Sequence, residues 1–209
     1  MALMAAGRKL VPAVEERLAR AARFFWDVQV EREPWDYGDS DSAYVLPVFA
    51  RETTVVREWR AWLARTGAGA VLDYWLGDPP VLPGLGRGKP VQAVEAGDWW
   101  IHPQSGMGIC ESGFWFLRWD MSPLGYLRTA AHGHLDALHL SIWYRGVALV
   151  IDPGTGAYYG DRALRVRLAS RESHNGPCPE GDLGPRRLGP FLWSEHHPVP
   201  SWRAMEIEG

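Results

Sequence analysis

The sequence has 209 residues, a formal net charge of −3, 46% hydrophobic residues and 22% charged residues. This composition supplies enough apolar side chains for a packed core and excludes an intrinsically disordered polymer. The slight negative charge argues against general binding to nucleic acid or to anionic membranes. The sequence contains no run of about 18 apolar residues, so no membrane span is predicted.

The N-terminal part of the chain is predicted to be helical. Apolar residues recur at three- and four-residue spacing between Val11 and Phe25, and Pro12 suits a first helical turn. A second helix is predicted from about Thr54 to Arg65. The loop between the two helices, Pro34 to Asp41, is rich in turn-forming residues.

A segment rich in proline and glycine, residues 77–90, contains too many helix and strand breakers for regular structure. The pattern before this segment is helical, and the pattern after it is typical of β-structure. We therefore predict a helical domain with its linker over residues 1–85 and a β-domain over residues 86–209.

Three segments of the second domain are predicted to be strands. Phe114–Trp119 is dense in aromatic residues, Leu138–Tyr144 alternates, and Val147–Ile151 is a continuous apolar run. Tyr144-Arg145-Gly146 is suited to a hairpin turn between the last two segments. Only one short apolar patch, Phe191–Trp193, interrupts the polar tail of the chain.

Residue types that bind metals lie on and around this hairpin. Residues two apart on an extended chain face the same side, so His132, His134 and Asp136 are expected to line one side of a strand. The hairpin should bring Asp152 back near the start of that strand, where His174 could close the group. Two imidazoles and a carboxylate form a sensible zinc site, although a His-x-His pair in a strand is often only a hydrogen-bonded pair.

The remaining candidates are cationic or isolated. Arg162, Arg165, Arg167 and Arg171 are either a site for carboxylate or sulfate groups, which arginine suits geometrically, or the solvated face of a strand or loop. His139 is expected to alternate onto the face opposite His134 and to serve in surface or sheet packing.

Taken together and in this order, the motifs resemble the heparinase II/III-like polysaccharide lyases, which include heparin, alginate and oligoalginate lyases. The resemblance implies an α+β, mainly β fold: the terminal helices of an incomplete (α/α) toroid followed by part of an antiparallel β-sandwich. The segments that carry it are His132–Leu138, Val150–Thr155, Tyr158 or Tyr159, Ser173–Asn175 and, for the end of the toroid, Tyr37–Asp41.

The resemblance also implies roles for single residues. It makes His134, Asp152 and His174 the ligands of a zinc ion that is chiefly structural. His132 then points into the substrate cleft as the catalytic or carboxylate-contacting histidine. On an acidic polysaccharide, the four arginines Arg162, Arg165, Arg167 and Arg171 would be substrate-binding residues if their side chains form a site rather than a solvated face.

The implied reaction is β-elimination on an acidic polysaccharide that contains uronate. A base removes the C5 proton, and the sugar attached at O4 leaves, with donors or cations stabilising the carboxylate. Tyr158 and Tyr159 lie in a loop that can supply a further catalytic tyrosine. The family's main acid/base tyrosine is expected before residue 1, so these residues alone are expected to be poorly active. The resemblance places the protein in the bacterial periplasm or outside the cell.

Two alternatives stay open. The first is a lyase-like protein without catalytic activity that binds exopolysaccharide or helps to assemble it. The second is a hydrolase in which the zinc ion is catalytic. The first alternative keeps the same metal ligands, and in the second the zinc ion takes part in the reaction.

Overall fold

The computed structural model describes two compact units, one with the N-terminal helix and the other with all of the described strands. Among the described residues, no helix combines the length and apolar character that crossing a membrane requires. The described residues are 11–28, 61–64, 94–96, 98–156, 160–181, 184–197 and 201.

The first unit contains helix α1, Pro12–Val28, which confirms a helix at the predicted place, with Pro12 as its first residue. Its apolar side packs on Trp62 and Leu63, both buried. Residues 61–63 are helical and belong to the second predicted helix, the rest of which lies outside the described residues. The assignment of these helices to an (α/α) toroid stays a prediction. The α1 residues in contact with Trp62 and Leu63 are Ala19, Ala22, Phe25 and Trp26.

The second unit is built on a six-stranded antiparallel sheet in which each strand pairs with the next one along the chain. This order confirms a mainly β second part. The connections are short except between the fourth and fifth strands, where residues 121–139 form a long irregular segment. The strands are β1 Val94–Ala96, β2 Trp99–His102, β3 Met107–Ser112, β4 Trp115–Asp120, β5 Leu140–Tyr144 and β6 Val147–Val150.

The predicted hairpin between β5 and β6 is present. Tyr144 pairs with Val147, and the two turn residues Arg145 and Gly146 both have positive φ angles, 51° and 75°. Two left-handed residues in a two-residue loop define a type I′ turn, whose twist matches that of the flanking strands. Because β5 and β6 are antiparallel, the start of β5 lies beside the end of β6.

The same end of the sheet buries polar side chains. Arg118 and Ser141 face each other across β4 and β5, with Nη2 of Arg118 donating to Oγ of Ser141 at 3.4 Å. Asp120 closes β4 and is buried, and its Oδ1 accepts from the backbone N–H of Ser122 at 2.7 Å. Buried polar groups need partners, so this end of the sheet is a candidate for a binding site.

The chain after β6 differs from its prediction. The arginine-rich segment was expected to present a strand or loop face if it bound no ligand, and it forms helix α2, Arg162–Leu168. The carboxylate of Asp161 caps this helix by accepting from the backbone N–H of Leu164 at 2.9 Å. A 3-10 helix, Arg171–Ser173, follows, and β7 Arg187–Gly189 pairs with β8 Leu192–Trp193.

Gly106 and Gly113 give a matched test of backbone packing. Both glycines are left-handed, with φ of 71° and 58°, but a Cβ at Gly106 would overlap the backbone carbonyl of Met121, whereas a Cβ at Gly113 meets nothing within 4 Å. We expect Gly113→Ala to lower the free energy of unfolding by about 1 kcal/mol through φ strain alone. Gly106→Ala should lower it by about 3 kcal/mol because the backbone must also move. Urea unfolding followed by tryptophan fluorescence measures both, and equal losses would contradict the packing at Gly106.

Candidate functional site

The histidine motif lies in the long segment between β4 and β5, and the expectation of a strand at residues 132–136 is wrong. His132 has a φ of 62°, which breaks an extended chain at the first motif residue. The motif is held instead by packing and by single hydrogen bonds such as that from the backbone N–H of Leu135 to the carbonyl of Ala169, 3.0 Å. As a result His132 is exposed, whereas His134 is 1% exposed.

Three side chains converge at the polar end of the sheet. One ligand atom each of His139, Asp152 and His174 lies within 4.8 Å of the other two. His139 directly precedes β5, Asp152 follows the end of β6, and His174 follows the 3-10 helix. The antiparallel pairing of β5 and β6 brings the first two together, and this is the role that the hairpin was predicted to have for Asp152.

Local hydrogen bonds orient the carboxylate of Asp152 and fix Asn175, the residue after His174. Oδ1 of Asp152 accepts from the backbone N–H of Gly154 at 2.8 Å, and Oδ2 lies 3.3 Å from Nδ1 of His174. The side-chain amide of Asn175 pairs with the backbone of Leu140, accepting from its N–H at 2.8 Å and donating to its carbonyl at 2.7 Å. This amide therefore ties the residue next to His174 to the start of β5.

His139 has a different place from the one expected. It was assigned to surface or sheet packing opposite His134, but it is only 3% exposed, and its ring lies edge-on to that of His174 at 5.5 Å between centroids. The backbone N–H of Asn175 donates to its Nδ1 at 3.3 Å. Residues 134–139 are not a strand, so counting by twos from His134 assigns no face to His139.

The three converging residues fit a metal ion. Among the described residues, Nε2 of His139 and Nε2 of His174 are buried without a hydrogen-bond partner, and Oδ2 of Asp152 and Nδ1 of His174 have no partner other than each other, at 3.3 Å. Buried polar atoms are almost always hydrogen-bonded, and one cation shared between three of them satisfies each one. Imidazole nitrogen and carboxylate oxygen together are the donors that zinc and related divalent ions accept.

Two of the three predicted ligands, Asp152 and His174, belong to this group. The third member in the structure is His139, where His134 was expected. His134 is buried beside the group, with its ring centroid 5.9 Å from that of His174. Its predicted role as a ligand stays a prediction.

The charge states suit cation binding. Burial raises the pKa of Asp152, but the hydrogen bond and charge attraction from His174, the backbone hydrogen bond from Gly154 and charge attraction from His139 together lower it below its ordinary value. Burial lowers the pKa of His139 from 6.5 to about 4, helped by repulsion from His174 and Arg118 and opposed by Asp152. At neutral pH the group therefore offers a carboxylate and an uncharged imidazole, which are the forms that bind metals.

Asp136, the last residue of the motif, is buried near two other carboxylates. Burial raises the pKa of Asp136 well above 3.8, and repulsion from Asp120 and then from Asp152 raises it further. Three carboxyl groups thus lie near one another at this end of the sheet. Like charges in a buried place are costly, and a nearby cation relieves that cost.

The other predicted site residues are placed as follows. The side chain of His132 lies against Phe191, with the ring centroids 5.0 Å apart. Arg165 is buried, and its guanidinium lies 4.3 Å from the ring centroid of Phe191. Of the other predicted arginines, Arg162 and Arg167 are exposed and Arg171 is half-buried, while Tyr158 and Tyr159 lie outside the described residues.

The comparison with known protein families matches residues 97–207 to the family described as Heparinase II/III-like, C-terminal. The match covers more than half of the chain and includes the sheet from β2 onward, the histidine motif and the three converging residues. The chain belongs to the heparinase II/III-like family. The predicted family is thereby confirmed. Comparisons with curated proteins and with solved structures gave no match.

Two residues of this heparinase II/III-like domain were missed by the sequence analysis, His139 and Phe191. Spacing from the His-x-His pair gives no signal for His139, because its position depends on an irregular segment. Phe191 lies in the apolar patch of the tail, to which the sequence assigned no role, and in the structure it contacts a histidine.

Acid titration of the metal-free heparinase II/III-like domain should report on His139. The folded pKa of about 4 lies below the unfolded value of 6.5, so the unfolded chain binds more protons between these values and stability falls as pH falls from 6.5 to about 4. With allowance for solvent screening, we expect a loss of roughly 1–3 kcal/mol.

His139→Gln should remove this part of the pH dependence, and His196→Gln, at an exposed histidine, should leave it unchanged. Denaturant unfolding in the presence of a chelator at several pH values measures the difference between variants. If the free energy of unfolding depends on pH in the same way in His139→Gln and in the unmodified chain, the imidazole of His139 is not buried in its neutral form.

Proposed function

We propose that this heparinase II/III-like chain acts in a polysaccharide lyase that cleaves a uronate-containing acidic polysaccharide by β-elimination. Family membership supports polysaccharide lyase chemistry at the coarse level. The observation that carries the proposal is the contrast within one short motif. His132 is exposed, while His134, two residues on, is buried beside a group that fits a metal ion.

In the proposed reaction His132 acts on the C5 proton or on the uronate carboxylate. Removal of the C5 proton by a base leaves an electron pair that forms the C4–C5 double bond, and the bond from C4 to the bridging oxygen breaks. The leaving oxygen takes a proton from an acid, a role for which we propose Tyr158 or Tyr159. An imidazole suits proton transfer because it titrates near neutrality.

Cations on the uronate carboxylate would favour this proton transfer, because charge accumulates there as the proton leaves. The exposed guanidinium groups of Arg162 and Arg167 on α2 are available for that role. Arg165 is buried against Phe191, so we propose a supporting role for it rather than contact with substrate.

The metal that we propose is zinc, bound by His139, Asp152 and His174 with His134 beside them. The donor set and its burial support a structural role, because a catalytic site keeps a position open to solvent or substrate. When bound, the ion would cross-link the start of β5, the end of β6 and the segment after the 3-10 helix. The loop with the exposed His132 would gain rigidity from that cross-link.

Metal binding can be measured without any activity assay. We expect one equivalent of zinc per chain in equilibrium dialysis, and a loss of affinity greater than about 100-fold in Asp152→Asn and in His174→Gln, because removal of a ligand should exceed the effect of an outer contact. His196→Gln, at an exposed histidine, should bind normally. His139→Gln should weaken binding more than His134→Gln does, and the reverse order would restore His134 as the third ligand.

Lyase activity is tested by incubating the full-length protein with alginate, heparin-type and bacterial exopolysaccharides. Absorbance from a 4,5-unsaturated uronate is the expected product signal. His132→Gln should lower kcat by about 10²–10⁴-fold, the usual contribution of a positioned acid or base, without loss of bound zinc. His196→Gln is the matched control.

Other outcomes of this assay favour the alternatives. Saturable polysaccharide binding without an unsaturated product would favour a non-catalytic binding protein. A zinc hydrolase would be favoured if new reducing ends form without that absorbance and if their formation stops when zinc is removed.

A further inference from the structure

We propose that Phe191, at the turn of the β7–β8 hairpin, is a positioning residue that fixes the ring of His132. The catalytic consequence rests on the proposed function, because it requires His132 to act on the substrate. The positional claim itself concerns only the contact between the two rings.

The contact between the two residues has two parts. The ring centroids of His132 and Phe191 lie 5.0 Å apart with an interplanar angle of 42°, and the backbone N–H of His132 donates to the carbonyl of Phe191 at 2.9 Å. The hydrogen bond fixes the backbone at a residue whose φ of 62° is unfavourable for a side chain with a Cβ. The ring contact then limits the rotation of the imidazole.

The hairpin that carries Phe191 is itself anchored to the motif. The indole Nε1 of Trp193 donates to the carbonyl of Gly133 at 2.8 Å, and its backbone N–H donates to the carbonyl of Thr129 at 3.0 Å. Trp193 is buried in one apolar cluster with Leu124, Ala130 and Ala169. The β7–β8 hairpin is therefore hydrogen-bonded both to Gly133, next to His132, and to Thr129, which precedes the motif.

Two arginines hold the turn before Phe191. Nε of Arg165 and Nη1 of Arg187 each donate to the carbonyl of Pro190 at 3.1 Å. The guanidinium carbons lie 4.3 Å from the Phe191 ring centroid for Arg165 and 4.7 Å from the Trp193 ring centroid for Arg187. Cation–π contacts and charge-assisted hydrogen bonds both favour a rigid turn, so Phe191 offers a fixed surface rather than a loose one.

A fixed surface is useful because His132 is exposed. An exposed imidazole ordinarily samples several rotamers, and a reacting group that is displaced by about 1 Å can cost about 100-fold in rate. A tilted ring in contact with the imidazole restricts that sampling. Phe191 therefore orients the ring of His132 and takes no part in the chemical step.

The positional claim is tested by NMR of the chain with isotope-labelled histidine rings, at one pH for all variants. His132→Gln identifies the His132 resonance by its disappearance. We expect cross-peaks between the ring protons of His132 and Phe191 in the unmodified chain, and a change in the His132 ring shifts when Phe191→Leu removes the aromatic ring current. Leu188→Ala, at an exposed residue of β7, should leave those shifts unchanged.

The catalytic claim is tested with the full-length protein. Phe191→Leu should lower kcat by about 10- to 100-fold with little change in KM, and Phe191→Tyr should recover most of the rate because an aromatic ring is retained. Leu188→Ala should keep the rate of the unmodified protein. Retained zinc in Phe191→Leu shows that the metal-binding group is intact.

The outcomes separate this inference from the proposed function. Absence of the ring cross-peaks in the unmodified chain overturns the positional claim, whether or not a variant folds. Equal kcat in the unmodified protein and Phe191→Leu overturns the catalytic claim. If the cross-peaks are present but no polysaccharide yields an unsaturated product, the proposed function fails and the contact between the two rings stands.

Discussion

Burial of unpaired polar atoms at one end of the sheet is the constraint on which the site depends. His139, Asp152 and His174 come from three separate segments, and in the part of the chain that the structure describes, Nε2 of His139 and Nε2 of His174 are buried without a hydrogen-bond partner. Such atoms destabilise a fold unless something satisfies them together, and a divalent cation does so with the donors that are present. The sheet end, the segment after the 3-10 helix and the loop before β5 then depend on one another.

The part of this arrangement that follows strand pairing could be predicted from the sequence. The alternation before Arg145-Gly146 and the apolar run after it specify a hairpin, and antiparallel pairing places Asp152 beside the start of β5. Asp152 and His174 were therefore predicted by pattern and by family resemblance to lie together, and the structure brings them together, while their role as metal ligands stays a prediction. The family itself was recognisable because several short motifs occur in a fixed order, and the match over residues 97–207 confirms it.

The part that depends on irregular backbone could not be predicted in this way. Periodicity assigns faces only within a helix or a strand, and the segment between β4 and β5 is neither. His139 was therefore placed on the wrong side, and the expected strand at residues 132–136 is absent. The arginine segment shows a related difficulty, because the helix that Asp161 caps there has only 7 residues, too few for a helical period to be recognised.

Gly133, the glycine between His132 and His134, explains how two histidines so close in sequence lie in different environments, one exposed and one buried. A Cβ at Gly133 would lie 2.6 Å from the backbone nitrogen of Gly125 and 2.8 Å from a side-chain carbon of Leu124, so the backbone there packs too closely for any side chain. Its carbonyl meanwhile accepts from the indole of Trp193. Close packing therefore fixes the chain between its two neighbours, and the left-handed backbone of His132 turns one imidazole outward while His134 stays buried. The exposed ring is held by the hairpin, the buried ring lies beside the proposed metal, and the closely packed Gly133 lies between them in the chain.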